Sequence, residues 1–293
     1  MKKIGIIVNK NKYESYKCVE SIIEYALKYK LDILVECSVA KELEIECHNV
    51  DENFIIDNAD IIICLGGDGT FIRAARAAYQ RELPILGINF GTLGFLTEID
   101  KNEIGFALRA LAYETYNIDE RIMLDIKIKN KGKKMLESIA FNDVVISRGA
   151  LSRILHVRTY VNNDFVESFP GDGIIISSPS GSTAYSLSAG GPIVEPESDL
   201  LIITPICPHM FSTRSYIING NKLIHAQVDE KYDHDAMVTV DGQVGYNIKG
   251  GDIVEVCRAE KKIKVIRIKN TNYFSVLRRK IFDRGECLRK DEI

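Results

Sequence analysis

The sequence predicts two domains: a parallel α/β domain at the N-terminus, then a β-sandwich-like all-β domain, with a C-terminal helix returning to the first. Three observations predict this. In the first third, apolar strands alternate with amphipathic helices, the pattern of a parallel sheet covered by helices. From Leu124 onward, short apolar runs follow one another without helical spacers, as in an antiparallel sandwich. From 271 to 289, Tyr273, Val276, Leu277 and Ile281 resume helical spacing. The expected boundaries are 1–115 for the first domain, 116–270 for the second and 271–293 for the return.

Residues 4–8 read as the first strand. Val19, Ile22, Ile23, Ala26 and Leu27 fall on one face of a following helix, and residues 31–35 are extended again. Residues 61–65 form an unbroken apolar run, as in a strand buried on both faces, with a helix over 71–78 behind it. A strand at 84–88 and a helix ending near Tyr113 complete the alternation, which makes the domain Rossmann-like. The second domain opens at 124–129 with apolar and polar residues alternating in period two, and 262–265 repeats that period near its end. Between them lie strand-like runs at 139–147, 154–161, 173–177, 200–204, 223–228, 237–240 and 253–257.

Composition narrows the function classes. The 293 residues carry 46% hydrophobic and 27% charged side chains, enough apolar material for two separate cores. A net charge of −3 excludes a broadly basic nucleic-acid binder, so an anionic ligand must be held by local groups. No apolar run approaches the roughly 20 residues of a bilayer span, and Met1-Lys2-Lys3 leads straight into a strand, so a cytoplasmic protein without membrane contact is expected. The seven cysteines are odd in number and form no CxxC pair, which predicts reduced thiols. No metal-ligand spacing exists among the five histidines. Basic residues at 278–280, 284, 289 and 290 read as a solvated helix face and tail.

The most informative stretch is Gly66, Gly67, Asp68, Gly69 and Thr70, between the buried strand and its helix. A glycine-rich strand-to-helix turn presents backbone N–H groups and a positive dipole end, which suit a phosphate. An aspartate there repels a phosphate unless a divalent cation or a proton-transfer task accounts for it; the competing reading is a tight turn with a capping Asp. The segment 89–95, with Gly91 and Gly94, ends the next strand and is expected to line the same crevice.

Three constellations mark the second domain. Asn142 and Asp143 interrupt an apolar strand, either as a turn or as contacts to a ribose or base edge. Asp172 stands between Gly171 and Gly173, in a hairpin or presented to sugar hydroxyls. Residues 177–192 pack hydroxyls and glycines around one tyrosine, Tyr185. That segment buries too little apolar area to form a core, and it suits a close-fitting surface for a polar planar ligand stacked on Tyr185.

Taken together, GGDGT after a strand, Asn142-Asp143, the Asp172 loop, the run Ser178–Pro192, Pro208-His209 and Asp241-Gly242-Gln243 resemble the NAD kinases over nearly the whole chain. GGDGT alone is shared with diacylglycerol and sphingosine kinases, but the glycine, serine and tyrosine segment is specific to NAD kinases. The resemblance implies a nucleotide-binding first domain, an NAD-binding second domain, and transfer of a phosphoryl group from ATP or polyphosphate to the 2′-hydroxyl of the adenosine ribose of NAD. It implies Asp68 as the general base, Gly66, Gly67, Gly69 and Thr70 as the phosphate cradle, and Mg²⁺ or another divalent cation held with the phosphates. Asn142 and Asp143 would contact adenosine; Ser180, Thr183, Ala184, Tyr185, Ser186, Leu187 and Ser188 would surround the adenine. Asp172 and His209 would approach the nicotinamide half near a subunit boundary, in a homodimer or homotetramer. Gln243 is a further binding candidate, while Arg73 and Arg153 are phosphate or ribose partners or simply surface arginines. Two departures stand out: Pro170 occupies a position where many relatives have arginine, and Asp143 one where many have glutamate.

Overall fold

The computed structural model describes residues 2–10, 13–45, 50–91, 94–130, 132–149, 153–210, 212–231, 235–269 and 271–281. Its first unit contains β1 (Lys3–Val8), α1 (Tyr13–Tyr29), β2 (Asp32–Val35), α2 (Cys37–Glu42), α3 (Glu52–Asn58), β3 (Ile61–Leu65), α4 (Asp68–Ala78), β4 (Ile85–Asn89), β5 (Ile99–Asp100) and α5 (Ile104–Tyr113). Strands β2, β1, β3 and β4 lie side by side in that order, all parallel, with Ile4 level with Ile33 and with Ile61, and Ile62 level with Ile85. Strand order therefore reverses at β1: the chain steps to β2 on one side and then to β3 on the other. Every residue of β3 and β4 is buried, as the unbroken apolar run of β3 predicts. Ile4, Ile6, Ile63 and Leu86 pack with Val19, Ile22 and Ala26 of α1 and with Ala107, Leu108 and Leu111 of α5.

Two expectations need adjustment here. Leu27 is 77% exposed, because it lies one residue beyond buried Ala26, roughly 100° round the helix. Helix α4 starts at Asp68 rather than 71, because Gly67 adopts the extended cap conformation (φ −87°, ψ −172°) and the first turn forms on Asp68 and Gly69.

The second unit contains most of β6 (Asn117–Asn130), β7 (Lys133–Ala140), β8 (Asp143–Arg148), β9 (Leu155–Val161), β10 (Asp164–Gly171), β11 (Gly173–Ser177), α6 (Tyr185–Ser188), β12 (Leu200–Ile206), β13 (Tyr216–Asn219), β14 (Ile224–Val228), β15 (Ala236–Val240), β16 (Val244–Ile248) and most of β17 (Ile253–Arg267). One sheet runs β13-β12-β11-β8-β15-β16, antiparallel throughout. The other pairs β10, β9, β14 and β17 in order, with β6 joining β17 to β7. Ile146, Ile174, Ile176 and Val238 of the first sheet share a core with Val157, Ala226, Val254 and Leu124 of the second. Ile175 points the other way, onto Val145, Ile206 and Ala189, so β11 is buried on both faces.

The run at 139–147 is not one strand: it breaks at Phe141 and Asn142 into the end of β7 and the start of β8. Strands β10, β13 and β16 escape the sequence patterns, and each ends its sheet path. Edge strands have one unpaired side and tolerate Pro170, Asn219 and Gly245, which blur the alternation.

The units divide at Asp119/Glu120 and Lys262/Ile263, where 115/116 and 270/271 were expected. The difference follows from β6 and β17, of 14 and 15 residues, which run past the points where the helical pattern stops and restarts. Val265 of β17 pairs in parallel with Ile85, and α7 (Tyr273–Ile281) also belongs to the first unit. The predicted helical residues beyond 281 lie outside the described residues. Cys18, Cys64, Cys207 and Cys257 are free thiols, whereas Cys37 is disulfide-bonded, contrary to the expectation of reduced cysteines throughout. Among the described residues, no helix is long and apolar enough to cross a membrane.

Candidate active site

A cavity of about 540 Å³ opens where β1 and β3 end, lined by Val8 at the end of β1, by Asn9 and Lys10 after it, and by Gly67, Gly69, Thr70 and Arg73 after β3. This is the crevice at the reversal of strand order, where parallel α/β sheets bind ligands. Helix α4 begins at the same place, so its dipole end faces a site suited to anions. A Cβ on Gly67 or Gly69 would meet nothing within 4 Å, so bare backbone borders open space. A Cβ on Gly66 would stand 2.5 Å from Thr70 Oγ1, which makes that glycine a packing requirement.

Two cations reach this crevice, each already paired. Lys10 Nζ lies 2.7 Å from a Glu36 carboxylate oxygen; Arg73 pairs with Glu52 and donates to the Val8 carbonyl at 3.2 Å. Asn9 and Lys10 were missed by the sequence reading because they stand far from the glycines in sequence. Their signal was position alone, the first residues past a predicted parallel strand.

Asp68 Oδ2 accepts the Phe95 N–H at 3.0 Å and Oδ1 the Leu96 N–H at 3.2 Å. Gly94 comes so close that a Cβ there would stand 1.9 Å from Asp68 Oδ1 and 2.4 Å from Thr97 Oγ1. The Gly94 N–H in turn donates to Thr97 at 3.2 Å, and buried Asn89 accepts the Gly91 N–H at 3.0 Å. The second glycine segment thus meets the first by seating its aspartate. Thr92 and Leu93 of that segment lie outside the described residues. Lys280 of α7 places Nζ 4.9 Å from the centre of the Phe95 ring.

In the second unit, Asn142 and Asp143 form the corner between β7 and β8. Asp143 is 4% exposed, and its carboxylate has no hydrogen-bond partner among the described residues. Burial, reinforced by the Asp241 carboxylate, pushes its pKa up to about 7. The hydroxyl-rich segment packs directly on this corner. Ser178 donates its N–H to the Asn142 carbonyl at 2.8 Å and its hydroxyl to the Phe141 carbonyl at 2.6 Å, while Ser177 Oγ reaches Asn142 O at 3.2 Å. Gly181 permits the approach, since a Cβ there would stand 2.2 Å from Asn142 O.

Residues 180–188 divide by exposure. Tyr185 and Ser188 are exposed, and Thr183, Ala184 and Leu187 are half-buried. Ser180 Oγ is buried without a hydrogen-bond partner among the described residues. Ser186 is buried with its hydroxyl on Thr204 at 2.9 Å, so it anchors the segment to β12 instead of offering that hydroxyl to a ligand.

Asp172 is not in a hairpin: β10 and β11 belong to different sheets, and Gly171–Gly173 is the crossover between them. Its carboxylate pairs with Arg148 Nε at 2.7 Å, and the His209 N–H donates to the Pro170 carbonyl at 2.8 Å, bringing the His209 loop beside it. Arg148 is a third residue the sequence patterns missed; it closes the same strand that Asp143 opens, roughly 17 Å away at 3.4 Å per residue. Gln243 is exposed in the turn between β15 and β16, and Arg153 is exposed just ahead of β9.

The family model described as the ATP-NAD kinase N-terminal domain matches residues 4–116, and that of the ATP-NAD kinase C-terminal domain matches 141–268. This chain belongs to the NAD kinase family. It is 48% identical to an NAD kinase of Acetivibrio thermocellus, covering 99% of this chain and 100% of that one. It is 46% identical to an NAD kinase of Ruminiclostridium cellulolyticum, covering 98% and 100%. Two solved structures share the fold: yeast NADH kinase complexed with NADH (TM-score 0.85, 23% identity, 94% and 86% covered) and an NAD kinase from Archaeoglobus fulgidus in complex with ATP (0.74, 24%, 94% and 96%). These structural likenesses bear on architecture alone.

Two predictions follow from the geometry of this NAD kinase family member. Gly94→Ala should push the Asp68 carboxylate from its seat and lower kcat by about 10²-fold, with NAD affinity unchanged; steady-state kinetics and equilibrium binding check this. For Asp143 the raised folded-state value, from 3.8 to about 7, penalises ionisation only in the folded chain. The penalty is absent below the unfolded value, where both states are protonated, and complete above about 7. Asp143→Asn should therefore melt above the wild type at alkaline pH, with the difference vanishing below the unfolded value, as thermal melts across pH would record.

Proposed function

We propose that the chain transfers the terminal phosphoryl group of ATP to the 2′-hydroxyl of the adenosine ribose of NAD, giving NADP and ADP. The observation that carries this reading is Asp68: a carboxylate opening the helix at an anion-suited crevice, with both oxygens oriented by backbone N–H groups. Gly67, Gly69 and Thr70 hold the donor phosphates, and Lys10 and Arg73 exchange Glu36 and Glu52 for them; Gly66, whose N–H donates to the Ile88 carbonyl at 2.9 Å, shapes the turn instead of joining the cradle. Asn142 and Asp143 receive the adenosine ribose, Ser180 to Ser188 the adenine with Tyr185 stacking, and Gln243 borders that pocket. Asp172 and His209 serve the nicotinamide half, with NAD near a subunit interface of a homodimer or homotetramer; Arg153 is a ribose or phosphate partner.

The 2′-oxygen attacks the terminal phosphorus, the bond to the ADP oxygen breaks, and the hydroxyl proton passes to Asp68. Two N–H bonds fix the carboxylate as a proton acceptor aimed at one place, and positioning is most of what phosphoryl transfer asks of a protein. Among the described residues, no group of three or more His, Cys, Asp or Glu side chains gathers to cage a metal. The Asp68 carboxylate at the start of α4 fits Mg²⁺, which takes few protein ligands and rides on substrate phosphates. It would sit on the donor phosphates near Asp68 and offset their charge.

Purified protein with NAD, ATP and Mg²⁺ should form NADP, and Asp68→Asn should lower kcat by about 10²- to 10⁴-fold with NAD affinity retained. Failure of the wild type to form NADP, or an Asp68→Asn variant with full kcat, would overturn the reading. Replacing ATP by inorganic polyphosphate in the same assay decides which phosphate chain the crevice takes.

A further inference from the structure

We propose that Asp241 is the positioning residue that shapes the Asn142–Asp143 corner and thereby sets the affinity for the adenosine end of NAD. The inference rests on the NAD reading above and goes beyond it by naming a residue that need not touch the ligand.

Asp241 and Gly242 turn the chain from β15 into β16 with φ of +52° and +62°, and the Gln243 N–H returns to the Val240 carbonyl at 2.9 Å. Positive φ at both central positions is the mirror-image hairpin turn, whose first position accepts glycine or asparagine as readily as aspartate. Turn geometry therefore does not by itself require a carboxylate there. The carboxylate has another task, visible in its partners. It accepts three consecutive backbone N–H groups, from Phe141 at 2.9 Å, Asn142 at 2.7 Å and Asp143 at 3.2 Å. The Asp241 N–H completes the joint by donating to the Asp143 carbonyl at 3.0 Å.

Three successive N–H groups converging on one anion form an anion-binding nest, filled here by the chain's own carboxylate. The nest exists because β7 ends at Ala140 and β8 begins at Asp143, which leaves the Phe141 and Asn142 N–H groups outside either strand. Carbonyls at the same corner are taken by Ser177 and Ser178. With the backbone bonded on both sides, the side chains of Asn142 and Asp143 are what the corner has left to offer a ligand. The Asp143 carboxylate, 4% exposed and without a donor among the described residues, matches a partner that brings hydroxyl donors, as a ribose does.

Asp241→Gly is the decisive variant, because glycine suits the turn while removing the carboxylate. We expect faster hydrogen exchange at the amides of Phe141, Asn142 and Asp143 and a KM for NAD raised roughly 10- to 100-fold, the range for hydrogen bonds to a charged group. The KM for ATP should stay within about twofold. Added formate, which can refill the nest, should lower the KM for NAD again. An unchanged KM for NAD, or unchanged exchange at the three amides, would overturn the proposal. Failure of the NAD reading itself would appear separately, as no NADP from the wild type, and the exchange measurement would then still decide whether Asp241 orders the corner.

Discussion

Two backbone N–H groups, from Phe95 and Leu96, hold the Asp68 carboxylate, and the rest of the first unit is arranged around that seat. Gly94 must lack a side chain because Asp68 occupies the space a Cβ would take. Helix α4 must start at Asp68, so that the carboxylate stands at its positive end, and β3 and β4 must be adjacent and parallel, so that the loops after them meet. The reversal of strand order at β1 then leaves a crevice beside the seated aspartate's loop, where glycine backbone and two cations border open space.

The second unit solves a related problem with different means. Its polar corner at Asn142 and Asp143 is flanked by fully buried Phe141 and Val144, and an unbonded corner of that kind would cost several kcal/mol. Asp241 satisfies the N–H groups and Ser177 and Ser178 the carbonyls, so the corner is held from both sides. Small residues in the 177–192 segment are needed for this contact as well as for a ligand: Gly181 touches the Asn142 carbonyl and Ser186 anchors to Thr204.

Much of this was legible in the sequence. An unbroken apolar run marked β3, the alternation of strands and helices marked β4, GGDGT marked the strand-to-helix turn, and the motif order identified the family in both halves. The edge strands β10, β13 and β16 were not legible, because partial pairing relaxes the alternation that betrays central strands. Lys10 and Arg148 were missed because each acts through a contact distant in sequence, one after a strand and one across a sheet crossover. Asp241 stood in the sequence as one member of the Asp241-Gly242-Gln243 motif without a task of its own, because its three N–H partners lie about a hundred positions earlier. Ser186 shows the converse: a hydroxyl within a binding-type segment can be spent on the fold.

The central claim is that Asp68 takes a proton and never the phosphoryl group. Transfer from ATP made chiral at its terminal phosphorus with oxygen isotopes tests it most directly, since a single in-line displacement inverts configuration and a double displacement through an aspartyl phosphate retains it. The seat of Asp68 predicts inversion in the 2′-phosphate of NADP. Retention would show a covalent phosphoenzyme and contradict the account.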